Sequence, residues 1–342
     1  MRRTYRCDPG APIDIDRDAG PTIGDVGEFA LIRAVTDELP TTADVLVGPG
    51  DDAAVVSAAD GRVVVTTDML VEGVHFRCDW STAYDIGRKA AAQNLADVVA
   101  MGARPTALVL AFGAPPGVSV RWATELARGL ADEASRAGAA IVGGDVVSND
   151  RIVLGVTALG DLQGRAPVLR AGARPGNVVV ATSWTGRSAA GLAVLRSGDA
   201  SISERFASLV DAHRTPQPAY AVALDLARAG ATAMIDVSDG LSSELHHLAA
   251  ASGVAIDLED VPYDEQVELA ARALGVDPLS WQLHGGEDHA FLACVPPEVA
   301  TSGREWRRIG YVTAGAGVTF AGRALLRDGW DHFAGDVSGA TT

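Results

Sequence analysis

AMIDVSDGLSSELHHLAAA (233–251) holds a strand, an acidic turn and a helix in nineteen residues. Ala233 to Val237 is a short apolar run of strand length, and Ser242 to Ala251 reads as a helix. Between them stand Asp236, Ser238, Asp239 and Gly240. That order is the working unit of chains that alternate strands and helices, and the loop after the strand is where such folds assemble ligand sites.

The same style extends in both directions. Strands are expected at 53–56, 62–67, 139–142 and 152–159, then at 177–182, 254–258 and 290–295. Phe29, Ile32, Ala34 and Val35 give helical spacing from Gly24 to about Leu39-Pro40, and further helices are expected at 83–101, 120–137, 188–196 and 219–229. The fold class is therefore α/β in the broad α+β sense, with mixed sheets packed by helices. A length of 342 residues suits two domains of about 150 residues each. Gly172-Ala173-Arg174-Pro175-Gly176 is the strongest punctuation. The expected organisation is a flexible tail at 1–22, an N-terminal domain at 23–165 and a C-terminal domain at 166–342.

Asp and Glu number 44 against 28 Lys and Arg, a formal charge of −16. Such a chain lacks the positive field that a nucleic-acid backbone requires. Its one lysine is Lys89, so no GxxxxGK[ST] phosphate loop can exist. Cys7, Cys78 and Cys294 are scattered, without a CxxC pair, which fits a reduced cytoplasmic protein better than a disulfide framework. No run approaches the roughly 20 apolar residues of a membrane helix. There is no HExxH, no GxSxG and no Cys beside a His in a defined motif.

The carboxylates are grouped. Gly50-Asp51-Asp52, Thr66-Thr67-Asp68, Gly143-Gly144-Asp145 and Asp236-Val237-Ser238-Asp239-Gly240 each follow an apolar run, and Gly285-Gly286-Glu287-Asp288 precedes one. Asp97 joins them from a helix on which Lys89, Gln93 and Asp97 share a side. For any single Asp-Gly pair, turn chemistry is the alternative. Should the groups converge, two like charges about 4 Å apart repel by roughly 4 kcal/mol at an effective dielectric of 20. Cations would then be needed, and oxygen donors from Asp, Thr and Ser favour Mg²⁺ or Mn²⁺ over zinc. Few-carboxylate Mg²⁺ sites fill their shells with phosphate oxygens, which points to metal-assisted phosphoryl transfer.

The ordered set GEF (27–29), VGPGDDAAVV (47–56), TTDMLVEGVHF (66–76), NLADVVAMGA (94–103), IVGGD (141–145), LRAGARPGN (169–177), IDVSDGL (235–241) and HGGED (284–288) resembles the bacterial thiamine-monophosphate kinases, members of the aminoimidazole-ribonucleotide synthetase superfamily. The likeness covers roughly 24–334, and Trp330-Asp331-His332-Phe333 extends it. It implies a two-domain fold whose N-terminal domain binds ATP and Mg²⁺, a homodimer, and transfer of the ATP γ-phosphate to thiamine monophosphate with several Mg²⁺ ions. It places metal ligands at Asp52, Thr66, Thr67, Asp68, Asp97, Asp145, Asp236 and Asp239. ATP contacts fall at Gly144, Asp145, Arg170 and Ser238, and substrate contacts at His75, Glu287 and Trp330.

Physical chemistry is compatible with these implications. The acceptor is a phosphate, already largely ionised at pH 7, so no general base is expected among the residues. A cationic thiazolium suits Glu287 and the face of Trp330, and Arg170 can fork onto phosphate oxygens. The sequence departs from the family pattern at Pro49, and at His289 where GGEDY is usual. Two other readings stand beside the kinase. Selenophosphate synthetase is disfavoured because Cys7 has no accompanying lysine. A non-catalytic Mg-nucleotide-binding protein is disfavoured by the acidic groups in both halves.

Overall fold

The computed structural model describes residues 20–37, 39–49, 53–261, 263–301 and 305–329. The expected tail therefore lies almost wholly outside the described residues, and Cys7, Asp52 and Trp330 do so entirely. The chain divides into two compact units. One comprises residues up to Ala58 with Val65–Asn94 and Thr106–Leu159; the other comprises Ala59–Val64, Leu95–Pro105 and the chain from Gly160 on.

In the first unit the expected helix from Gly24 is two helices, α1 (Ile23–Val26) and α2 (Glu28–Thr36). Thr22 and Asp25 cap α1 reciprocally, and Gly27 breaks the path at φ 76°, a left-handed value that glycine adopts without strain. A two-stranded ribbon, β1 (Val45–Val47) and β2 (Val55–Val56), precedes β3 (Val64–Val71). There follow α3 (Ala83–Ala100), β4 (Arg104–Ala114), α4 (Val120–Arg136), β5 (Ala140–Ser148) and β6 (Val153–Asp161). The main sheet has the order β3-β6-β4-β5. β4 and β5 are parallel, from Ala107↔Ala140 to Ala114↔Ser148, and α4 is the crossover that parallel pairing requires.

β4 is an inner strand that the sequence reading did not assign. Pro105 occupies its second position, where a missing N–H disturbs the ladder least. Two assigned strands also run further than expected. Thr66-Thr67-Asp68 lies inside β3, and Gly143-Gly144-Asp145 lies inside β5, rather than after them. Val64 and Val65 before the polar group of β3, and Val142 and Val146 on the two sides of that of β5, favour the extended backbone through the polar residues. The helices α3 and α4 approach so closely that a Cβ on Gly87 would come 2.0 Å from the Leu126 carbonyl oxygen, and one on Gly129 would come 2.0 Å from that of Tyr84. Glu133 is fully buried there and is bound by Arg88 at 2.7 Å and Arg136 at 2.6 Å, which meets the need of a buried charge for partners.

The second unit carries β7 (Val178–Ala181), α5 (Arg187–Ser197), α6 (Ala200–Arg205), α7 (Ala207–Arg214), α8 (Tyr220–Arg228), β8 (Ala233–Asp236), α9 (Leu241–Ser252) and β9 (Ala255–Leu258). It continues through α10 (Glu265–Leu274), α11 (Pro278–His284), β10 (Phe291–Val295), α12 (Pro297–Ala300), β11 (Arg307–Thr313), β12 (Gly317–Phe320) and β13 (Arg323–Ala324). Its sheet runs β13-β12-β9-β11-β7-β10-β8. β10 is antiparallel to both β7 and β8, whereas β12 is parallel to β9, so the sheet is mixed. Val179, Ile235 and Leu292 from the sheet pack with Leu241, Leu245 and Leu248 of α9 in one core. Ala190, Val194, Leu209, Val210 and Val267 form a second core among α5, α7 and α10. Strands β11 to β13 escaped the sequence reading because their arginines and glycines dilute the apolar runs.

Candidate active site

β8 ends at Asp236, and the chain turns through Val237, Ser238, Asp239 and Gly240 into α9. The segment before β10 lies alongside this turn. Val237 N–H donates to the Ala290 oxygen at 2.7 Å, His289 N–H to the Val237 oxygen at 2.9 Å, and Glu287 N–H to the Ser238 oxygen at 2.7 Å. The β8–β10 ladder thus continues past both strands and brings the DVSDG and GGEDH segments side by side.

This zipper gathers most of the second unit's expected site residues. Asp236 is 3% exposed, and its Oδ2 lies 3.0 Å from His289 Nδ1. Burial works against a charged His289 imidazole, but the hydrogen bond to Asp236 and the carboxylates of Asp236, Glu287 and Asp97 outweigh it and raise its pKa. Asp97, half-buried near the end of α3, therefore belongs electrostatically to the same group. Arg170 sits in a short 3-10 turn, Arg170–Gly172, whose first carbonyl accepts from Ser252 Oγ at 2.7 Å.

The sequence reading overlooked Glu244. It projects from α9 and is 2% exposed, 3.4 Å from Ser238 Oγ and 3.3 Å from the Asp239 N–H that donates to it. Burial foremost, then the like charge of Asp236, pushes its carboxyl up to about 8, while the Asp239 N–H and Arg170 pull the other way. Its signal was present: an acid in a helix whose Leu241, Leu245 and Leu248 mark the buried side.

Glu287 and His289 have φ values of 65° and 50°, left-handed conformations that cost a non-glycine residue about 1 kcal/mol or more. Asp288 between them is clamped. Its two oxygens accept from Gly186 N–H at 2.5 Å and Ser188 N–H at 2.8 Å, so it caps α5 from across the unit. Burial pushes the Asp288 carboxyl from its ordinary 3.8 up to about 6, although the two N–H donors oppose the rise.

A carboxyl with a raised folded pKa favours folding most when protonated. That contribution is full below about pH 4 and is lost as pH rises through about 6, on the order of 3 kcal/mol at roughly 1.4 kcal/mol per pKa unit. Asp288→Asn removes the slope but keeps the size. In urea titrations its stability deficit against the wild type should therefore shrink between pH 4.5 and pH 7.5. A deficit that stays constant with pH would show that Asp288 is ionised throughout.

The first unit's expected residues do not gather in the same way. Thr67 Oγ1 donates to the Val156 oxygen at 3.0 Å, and Asp68 N–H to Asn94 Oδ1 at 2.9 Å. Thr66, Thr67 and Asp68 lie on β3, whereas Gly144 and the exposed Asp145 lie on β5, the opposite edge of the sheet. With β6 and β4 between them, at ~4.8 Å per strand, they stand roughly 14 Å apart across the sheet. One sheet therefore does not place them around a single ion. His75 follows β3 in a tight turn, where its Nδ1 accepts from Val71 N–H at 3.0 Å and its carbonyl accepts from Lys89 Nζ at 3.0 Å.

Among the described residues, no three His, Cys, Asp or Glu side chains stand close enough to hold a metal ion by themselves. The donor chemistry nevertheless fits Mg²⁺. That ion takes one or two carboxylates and completes its octahedron with phosphate and water oxygens. Burial is the main cause of the raised Glu244 pKa, and the repulsion from Asp236 and Asp239 that adds to it is a strain a bound cation would relieve.

Residues 50–162 match the AIR synthase related protein, N-terminal domain, and residues 174–322 match the corresponding C-terminal domain. The thiamine-monophosphate kinase of Mycobacterium tuberculosis is 50% identical over 320 residues, 92% of each chain. The crystal structure of thiamine monophosphate kinase from Aquifex aeolicus superposes with a TM-score of 0.73 at 27% identity, over 88% of this chain and 98% of that one. AaThiL complexed with AMPPCP and TMP superposes with a TM-score of 0.76 at 29% identity, over 90% of this chain and 97% of that one. Among the described residues no helix is long and apolar enough to cross a membrane.

Proposed function

The chain belongs to the AIR synthase related proteins and, within them, to the thiamine-monophosphate kinase family, and from this we propose how it works: it phosphorylates thiamine monophosphate to thiamine diphosphate with ATP, by direct in-line transfer assisted by Mg²⁺. The observation that carries the reading is the zipper of DVSDG against GGEDH. It sets Asp236, Asp239, Glu244 and Glu287 beside one another, with Arg170 in electrostatic reach of Glu244. Carboxylates crowded in this way suit a cation-dependent site better than a set of turns.

Asp97, Asp236 and Asp239 are assigned to hold Mg²⁺. Asp52, Thr66, Thr67, Asp68 and Asp145 are assigned the same role in the domain that ends near residue 165. When bound, the metal supplies neutralisation of the donor and acceptor phosphates. Arg170 is suited to grip ATP phosphate oxygens through its planar fork. Gly144 and Ser238 are the further ATP contacts. Glu287, with His75 and Trp330, is assigned to the acceptor, where a carboxylate attracts the cationic ring. Since the attacking oxygen is already ionised, no residue is required to remove a proton.

Two further attributes are part of the proposal. Val65 and Met69, 64% and 59% exposed, stand on one face of the edge strand β3, an apolar strand surface that supports pairing of two copies into a homodimer. The cytoplasm is the proposed compartment, supported by two described cysteines, Cys78 and Cys294, that form no disulfide.

The decisive experiment compares acceptors. ADP release should require Mg²⁺ and thiamine monophosphate together, and free thiamine should not substitute, because it lacks the anionic nucleophile. Equal turnover with both acceptors, or none with either, would overturn the reading.

A further inference from the structure

We propose that His213 is the positioning residue for the Glu287 carboxylate, fixing it where it meets the positively charged ring of the acceptor; the inference rests on the assignment of Glu287 to that ring. His213 is the penultimate residue of α7 and is 5% exposed. Its Nδ1 lies 3.4 Å from Glu287 Oε2 and 3.1 Å from Ser188 Oγ in the first turn of α5.

The imidazole cannot drift. α5 and α7 touch backbone to backbone: a Cβ on Gly191 would come 2.0 Å from the Leu209 oxygen and 3.1 Å from His213 Cβ. Ser188 is 1% exposed, so this neighbour of Nδ1 is held in place. The N-terminus of α5 also clamps the backbone next to Glu287, because Asp288 accepts from Gly186 N–H and Ser188 N–H. Glu287 therefore has its main chain fixed through Asp288 and its carboxylate approached by His213, from one rigid support. A long carboxylate side chain loses rotamer freedom when it binds a ligand, and a preset orientation removes that loss beforehand. An imidazole with its proton on Nδ1 presents one N–H between the two oxygens, shared by Ser188 Oγ and the Glu287 carboxylate. It orients the carboxylate and leaves the negative charge for a cation.

Steady-state kinetics, with calorimetric titration of thiamine monophosphate, tests this in the full chain. His213→Leu should raise KM and Kd for thiamine monophosphate about tenfold, the size expected for a hydrogen bond to a charged group. KM for ATP and kcat should stay within about twofold. His213→Asn, whose amide nitrogen stands near the place of Nδ1, should recover most of the affinity. In a Glu287→Ala background, His213→Leu should add nothing further.

Parallel changes in both KM values, an Asn variant no better than Leu, or additive effects in the double variant would overturn the proposal. Should His213→Leu not fold, imidazole ¹⁵N signals read the same contact. The His213 Nδ1 signal should move in Glu287→Ala, and an unmoved signal overturns it. A wild type that neither binds nor turns over thiamine monophosphate would refute the kinase reading and the proposal with it. A wild type that turns over while these variants behave like it refutes the proposal alone.

Discussion

Asp239→Asn is expected to lower kcat about a thousandfold while the protein remains folded. The substitution keeps the volume of the side chain and removes its charge. Asp239 lies just before α9, with Gly240 as the N-cap, where a negative charge stabilises a helix by about 0.3–1 kcal/mol. Its loss is offset in part by relief of the crowding with Glu244, whose proton affinity Asp236 and Asp239 both raise. The net change in stability should therefore stay within about 1 kcal/mol, visible as at most a few degrees in a thermal melt. Activity should not be spared. Asp239 would act through the Mg²⁺ it helps to hold: a preorganised positive charge at transferring phosphoryl oxygens contributes about two to three orders of magnitude in rate, and Asn offers the cation one neutral oxygen in place of a carboxylate. The Mg²⁺ concentration giving half-maximal rate should also rise. Wild-type kcat in Asp239→Asn would show that this acid only forms the turn.

How far the sequence could lead is visible in two segments. In 233–251 the apolar run, the acidic turn and the helix are contiguous, so period and composition place β8, the loop and α9 within a residue or two. The pairing of that loop with GGEDH spans about fifty positions, and no local rule reports it. The resemblance assigned site residues to both segments without saying that they pair. Glu244 and His213 are different. Neither sits in a turn or beside a glycine, and each acts through a partner on another element, so spacing carries little of their role. β4 was missed for a local reason: Pro105 and Arg104 open a strand that is otherwise apolar and inner, and proline argues against an inner strand unless it stands at the start. The Thr66–Asp68 and Gly143–Asp145 groups were correctly seen as strand-associated. Their interior positions in β3 and β5, at opposite sheet edges, depend on sheet order, which follows from packing rather than from local pattern.

Gly286→Ala should cost about a hundredfold in kcat/KM for thiamine monophosphate, through backbone position alone. A Cβ at Gly286 would come 2.4 Å from the Ser238 oxygen and 3.3 Å from Asp239 Cα. Both are main-chain atoms, so no side chain can swing aside. The Ser238 oxygen also accepts the Glu287 N–H at 2.7 Å, and that bond joins the two acidic segments. Restoring an ordinary contact requires one segment to retreat by roughly 1 Å, a displacement large enough to cost about 10²-fold when it misaligns reacting groups. The retreat moves Glu287 away from Asp239, so binding of the acceptor and turnover should suffer together. Gly117 provides the control: a Cβ there meets nothing within 4 Å, and its φ lies outside the left-handed range. Gly117→Ala should leave the rate within about twofold, because an exposed substitution without a clash changes stability little. If Gly286→Ala matched Gly117→Ala in kinetics, the two segments could separate without consequence, and the zipper would not be what sets the spacing between Glu287 and Asp239.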